Sequence, residues 1–213
     1  MKSFLVIGVG AFGRHLVQYL SRHNCEILVA DKDEKKLQGL LQCATSAKIA
    51  DCTDPDVLTS FDVPGFDACF VCVDSDFLAQ LEIICLLKDL GAKKVYGCAD
   101  HDLQARLLER NGADVVIYPE KDMARRIALN VSSENIFDSY KLAKDFYVCE
   151  IAVRPEWIGK TLKELDFRAR YSLNVLARKE NGAVLDQLPD DVFEKDAHIL
   201  VMGKEDAIRK VTS

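Results

Sequence analysis

At 213 residues, with 49% hydrophobic and 29% charged side chains, the chain has material for one sizeable core and a smaller second unit, which sets it apart from disordered and fibrous classes. A formal net charge of -6 leaves no basic stripe for a phosphate backbone, so nucleic acid is not an expected partner. No apolar run approaches the roughly 20 residues that cross a bilayer, so a membrane is expected to matter only through another protein.

The sequence enters a strand within a few residues of Met1, which leaves no room for an export signal, and a cytosolic address is expected. The eight cysteines sit mostly inside apolar segments and are expected to be reduced core residues.

Residues 1–118 repeat one unit: a short β-rich run, a turn, then an amphipathic helical stretch. Strands are expected at Phe4–Gly8, Glu26–Ala30, Ser46–Ala50, Ala68–Val73, Lys94–Cys98 and Asp114–Tyr118. Helical spacing marks Ala11–His23, Lys32–Cys43, Asp54–Phe61, Phe77–Leu90 and Leu103–Asn111 between them. Gly91 and Gly112 each follow a helical run, as at a helix end that closes in the left-handed conformation. The alternation predicts an α/β fold, a Rossmann-type doubly wound parallel sheet.

The first strand runs into Gly8-Val9-Gly10-Ala11-Phe12-Gly13, a G-x-G-x-x-G between strand and helix. In this context Gly8 permits the tight turn, Gly10 admits phosphate close to the backbone, and Gly13 lets helix pack on strand. The helix amides from Ala11 and Phe12 onward, at the positive end of the dipole, suit an anion. Asp31 closes the second strand, where a carboxylate accepts both ribose hydroxyls, with Lys32 beside it. Asp51-Cys52 follow the third strand and Asp74-Ser75-Asp76 the fourth, all at the carboxyl edge of the sheet. Asp51 is a candidate for the base, whereas Asp54 and Asp76 are read as caps of the following helices.

Beyond Tyr118 the pattern changes. Residues 119–144 read as a connecting helix, from Glu120 to Asn130, and a linker. Residues 145–213 read as a small α+β domain with strands at Phe146–Val153, Leu173–Lys179, Ala183–Gln187 and His198–Met202, and a hairpin turn at Asn181-Gly182.

Chemistry on a bound nicotinamide needs an acid or base and a substrate pocket, normally from a sizeable second domain. Here that domain is small, and His15, His23, His101 and His198 show neither metal-ligand spacing nor a triad, so each is read as a surface or helix-packing residue. Cys69 and Cys72 match a redox-pair spacing, but inside a strand that spacing sends them to opposite faces. A binding protein is therefore expected rather than an enzyme, with an NAD-dependent oxidoreductase as the alternative.

Several segments together carry a family resemblance: Gly8 to Arg14, Asp31, Ala50-Asp51-Cys52-Thr53, Asn111 to Asp114, and Tyr118-Pro-Glu-Lys-Asp-Met123, followed by Ile158 to Leu165, Phe167 to Ala169 and Met202-Gly203. They resemble the regulator of potassium conductance domain found in cytosolic subunits of Ktr and Trk potassium uptake systems, nearer the Ktr type because the unit occurs once. The resemblance implies dimers that assemble into a gating ring beneath an integral-membrane potassium-translocating subunit, with the chain peripheral at the inner face of the cell membrane. It implies ATP and ADP, or NADH and NAD, as regulatory ligands of the N-terminal site. It further implies that Arg14 reaches the terminal phosphates and that Glu120 helps hold a divalent or monovalent cation at the dimer interface. By its chemistry alone, Glu120 reads first as an acid stabilising a helix start beside Pro119. Some members bind cyclic di-AMP in a C-terminal cleft to which Arg168, Ala169 and Pro189 correspond. Trp157 reads either as an apolar contact there or as core.

Overall fold

The computed structural model describes residues 1–180 and 182–213, which form two compact units, 1–121 and 122–213. In the first unit, β1 (Lys2–Ile7), β2 (Cys25–Asp31), β3 (Ser46–Ile49), β4 (Ala68–Val71), β5 (Val95–Cys98) and β6 (Val115–Ile117) make one sheet in the order β3-β2-β1-β4-β5-β6. Every pairing in it is parallel. This is the doubly wound order, with its topological switch between β1 and β4.

Helices cover both faces, so a central strand must be apolar on both sides. In β1, Leu5 and Ile7 enter one core cluster, while Val6 enters the other. Burying each such side chain contributes about 1.5–3 kcal/mol. Cys69 and Cys72 divide in the same way, one into each cluster, and all eight cysteines are free thiols. Burial pushes the Cys69 thiol up to about 12, far from a reactive thiolate.

The connecting helices are α1 (Ala11–Leu20), α2 (Glu34–Leu37), α3 (Pro55–Thr59), α4 (Phe77–Asp89) and α5 (Asp102–Arg110). Gly91 and Gly112, just past α4 and α5, adopt φ of +83° and +113°, so both predicted stops are left-handed. The expected helix over Lys32–Cys43 shrinks to a single turn: Gly39 takes φ +81°, and the chain continues to β3 through turns.

Helix α6 (Pro119–Val131) crosses from the first unit into the second. Where the sequence reads as linker, the structure forms another strand, β7 (Ile136–Lys141), paired antiparallel to β8 (Phe146–Ala152) across a bulge. The second sheet is antiparallel, in the order β10-β9-β11-β8-β7, with β9 (Asn174–Glu180), β10 (Ala183–Leu185) and β11 (His198–Lys204). Of the expected hairpin turn, Asn181 lies outside the described residues; Gly182 has φ +83°, and Ala183 pairs with Glu180.

Two further helices, α7 (Phe167–Tyr171) and α8 (Glu205–Thr212), complete this unit. Trp157 is wholly buried at its centre, edge-on to Phe167 and Tyr171, which makes it core. His198 opens β11, where the expected strand begins, and is half-buried there. It lies on β11 with its ring stacked 3.8 Å from that of Phe137 and its Nδ1 2.8 Å from Glu150 Oε1. Among the described residues no helix is long and apolar enough to cross a membrane.

Candidate functional site

The glycine loop turns where β1 ends. Gly8 has φ +84°, and a Cβ there would stand 2.7 Å from the carbonyl oxygen of Cys72, so any side chain collides with backbone. A Cβ at Gly13 would meet the Gly8 carbonyl oxygen at 2.3 Å, so α1 packs on β1 only because that position is bare. Gly10 stands at the N-cap of α1 and supplies no side-chain cap, so the first amides of the helix must find their acceptors elsewhere.

Asp31 ties this loop to the next strand. Its carboxylate, 6% exposed, accepts the Val9 amide at 2.8 Å through Oδ2 and the Asp33 amide at 2.9 Å through Oδ1. Each oxygen keeps a second lone pair, so the same group can accept hydroxyl protons from a ligand.

A cavity of about 260 Å³ opens at the switch point. Gly8, Gly10, Asp31, Lys32, Asp51, Cys52, Asp74 and Ser75 all line it, so eight of the sequence-selected residues from four separate segments converge on one space. Ala11, Phe12, Gly13 and Arg14 do not line it: Phe12 packs against the core, Gly13 is buried, and Ala11 contributes its amide. The guanidinium of Arg14 instead donates to the carbonyl oxygens of Lys36 at 2.5 Å and Gln38 at 3.3 Å, clasping the C-terminal end of α2.

The electrostatics of the cavity are uneven. At Asp51, hydrogen bonds from the Thr53 hydroxyl, at 2.7 Å, and the Thr53 amide lower the carboxyl pKa, with Lys32 adding to the effect. Burial pushes the neighbouring Cys52 thiol up to about 12, helped by the charges of Asp51 and Asp31, so Cys52 is a wall and not a nucleophile. Asp74 is raised: desolvation against the glycine loop and the charges of Asp100 and Glu120 outweigh a hydrogen bond from the Ala11 amide and attraction to Lys36. Asp74 presses so closely on the loop that a Cβ at Gly10 would lie 1.6 Å from its Oδ2. Sequence reasoning did not single out Lys36, which also lines the cavity; its signal was a cation four residues past Lys32.

Asp54 and Asp76 cap α3 and α4 through the amides of Asp56 and Ala79, as their positions predict. Glu120 is an exposed residue in the first turn of α6. Among the described residues, no group of three or more His, Cys, Asp or Glu is arranged to hold a metal ion. In the second unit, Arg168 and Pro189 line a shallow hollow of about 460 Å³ with Asn174 and Val175, whereas Ala169 is exposed outside it.

Known proteins share this architecture. Residues 4–119 match the TrkA-N domain and residues 148–213 the TrkA-C domain. The Ktr system potassium uptake protein C of Bacillus subtilis (strain 168) is 34% identical over 203 residues, spanning 95% of this chain and 92% of that protein. Among solved structures, the GsuK RCK domain superposes with a TM-score of 0.67 at 16% identity over 99% of this chain, which spans 47% of that one. The GsuK channel bound to NAD gives 0.67 at 17% identity over 97% of this chain, which spans 38% of the channel chain. Those two likenesses carry the fold, and the sequence match carries the lineage. The chain belongs to the family of proteins built from a TrkA-N and a TrkA-C domain, among the relatives of the Ktr potassium uptake proteins.

Proposed function

We propose that the chain is a nucleotide-sensing regulatory subunit that gates a potassium-translocating membrane protein and does not turn its ligand over. The single observation that carries this reading is Asp31, a nearly buried carboxylate joined to the Val9 amide and facing the switch-point cavity. That arrangement suits an acid that takes a sugar beside a loop that takes phosphate. A protein solved with NAD shares the fold, and a relative of similar length is named for potassium uptake.

In this reading, adenine nucleotides (ATP and ADP, or NAD and NADH) occupy the cavity. Gly10 and the α1 amides hold phosphate, Asp31 holds ribose, and Asp51 lies toward the base. Arg14 orders the turn at Lys36 to Gln38 and discriminates the terminal phosphates, in company with a neighbouring subunit. Glu120 gains its cation partners only when two copies meet, and Arg168, Ala169 and Pro189 form half of a cyclic di-AMP cleft that a second copy completes. The chain works as an oligomeric ring, cytoplasmic and peripheral to the membrane through its transporter.

Regulation then follows from linkage: a nucleotide shifts the ring only by the difference in its affinity for the two ring states. The test is a thermal-shift panel of the full chain with ATP, ADP, NAD and NADH, each followed by analysis of the recovered nucleotide. A ligand that prefers the native state raises Tm, and a sensor returns it unchanged. Consumption of ATP or oxidation of NADH would instead identify an enzyme, and a flat panel would remove the nucleotide altogether.

A further inference from the structure

A different cavity, of about 520 Å³, lies in the C-terminal unit among the ends of β8 and α7 and the exposed side of α8. It shares no lining residue with the hollow that bears Arg168 and Pro189. Four cations, Arg154, Arg170, Lys204 and Lys210, face it against the one carboxylate of Asp206, in a chain whose net charge is -6. Their charge is incompletely spent. Arg154 pairs with Glu156 through Nε at 2.9 Å and lies over the Trp157 ring, and Lys204 reaches Asp145 only at 3.9 Å. The side chains of Arg170 and Lys210 have no hydrogen-bond or ion-pair acceptor among the described residues, Arg170 lying only over the Tyr171 ring at 5.5 Å.

The polar groups between these cations are also donors. The Tyr171 hydroxyl oxygen accepts Trp157 Nε1–H at 2.8 Å, so its own proton points onward without an acceptor among the described residues. Ser172, held at φ +56° where α7 ends, adds a second free hydroxyl at the wall. Phe146, Ala207 and Val211 supply an apolar side. Donors in this number exceed the roughly four lone-pair sites of one carboxylate, and the arginine fork matches phosphate oxygens in pairs. The volume falls within the range of about 300–1,000 Å³ usual for small-molecule sites.

We propose that this cavity is a second ligand site, taking a phosphate-bearing anion whose phosphoryl group meets Arg154, Arg170, Lys210 and the Tyr171 hydroxyl while its body rests on Phe146 and Val211. The phosphate belongs either to a free organic phosphate or to the headgroup of an anionic lipid; the chemistry of the site is the same for both.

Trp157 reports on it directly. It is the only tryptophan in the chain, wholly buried, bonded to the Tyr171 hydroxyl and packed on that ring at 5.2 Å, all within the unit that holds the cavity. The full chain is titrated with inorganic pyrophosphate at constant ionic strength, with sodium chloride as the control, following Trp157 emission and, in parallel, heat by calorimetry. The proposal expects a saturable emission change that chloride does not reproduce, and roughly tenfold or greater weakening in an Arg170→Ala/Lys210→Ala variant, since charge-assisted hydrogen bonds are the strong ones. Tyr171→Phe, which keeps the ring and removes one donor, weakens binding severalfold. Sedimentation with phosphatidylglycerol and phosphatidylcholine vesicles separates the two sources. Capture by the former that needs Arg170 and Lys210 and is relieved by pyrophosphate identifies a lipid headgroup; pyrophosphate binding without capture identifies a free phosphate. No saturable Trp157 response, or pyrophosphate affinity unchanged in both variants, overturns the proposal.

Discussion

The carboxylate of Asp74 occupies the space that a side chain at residue 10 would need, with Oδ2 only 1.6 Å from the position a Cβ on Gly10 would take. It also accepts the Ala11 amide, the first donor of α1. Asp74 therefore acts as an internal anion at the helix end where a ligand phosphate is proposed to bind, and the two compete for one donor.

Removing that charge tightens nucleotide binding. Asp74→Asn is expected to raise the affinity for NAD by on the order of 1 kcal/mol, the usual scale of a solvent-accessible charge interaction. The sign with pH follows from the raised pKa of Asp74: the folded chain holds this proton more readily than the unfolded chain, so ionisation costs stability and acidification recovers it. The bridging phosphates of NAD keep their charge as Asp74 titrates, so wild-type affinity for NAD rises as pH falls toward the carboxylate range. Asp74→Asn flattens that slope, and parallel pH profiles by calorimetry would dissociate Asp74 from the phosphate position.

The loop geometry makes Gly8 the least replaceable residue of the fold around the site. Gly8→Ala must hold a side chain at φ +84° and displace the Cys72 carbonyl, and we expect a loss of roughly 2–4 kcal/mol in urea unfolding, since strain and overpacking add. A loss under about 0.5 kcal/mol, the range of neutral surface changes, would mean the turn is more tolerant than its geometry implies.

Arg14 acts here on the end of α2 through the Lys36 and Gln38 carbonyls. Arg14→Ala is expected to erode the preference for ATP over ADP several-fold while sparing ADP affinity, read as the ratio of dissociation constants. A ratio equal to that of the wild type would confine Arg14 to a structural role.

In the second unit, Glu150 stands between Lys179 Nζ at 2.7 Å and His198 Nδ1 at 2.8 Å. Burial alone would raise its carboxyl pKa, but the bonds from Lys179 and His198 outweigh it and the net shift is downward. A depressed pKa contributes stability above the ordinary carboxylate value that is lost as pH falls through the folded one. Tm of the wild type should therefore decline as the solution is acidified below about pH 5. Glu150→Gln should start lower at neutral pH and show a shallower acid limb; equal limbs would assign the acid sensitivity elsewhere.

The sequence exposes the sheet and the cavity-lining acids because their causes are local. A glycine motif between an apolar run and an amphipathic one, acids at strand ends, and Gly91 and Gly112 after helical runs each carry their own signal. What stays hidden depends on contacts between distant segments. Strand β7 carries Asp138 in mid-strand, where the bidentate bond from Arg126 compensates the charge, and its bulge at Phe137 breaks the alternation that marks a strand. The truncation of α2 turns on Gly39, whose left-handed φ ends a pattern that otherwise reads as helix. Likewise, a strand-end Asp31 suggests a ribose contact but not the Val9 amide that holds it, and the seat of Asp74 follows from the bare Cα of Gly10 rather than from its own neighbours.

The most direct measurement is a calorimetric titration of wild type and Asp31→Ala with ATP, ADP and NAD. We predict saturable binding by the wild type, with the nucleotide recovered intact, and a loss of about 1.5–3 kcal/mol in the variant, the usual worth of hydrogen bonds to a charged group. Equal affinities in the two proteins, or no heat from any of the three, would contradict the assignment of this crevice as the sensing site.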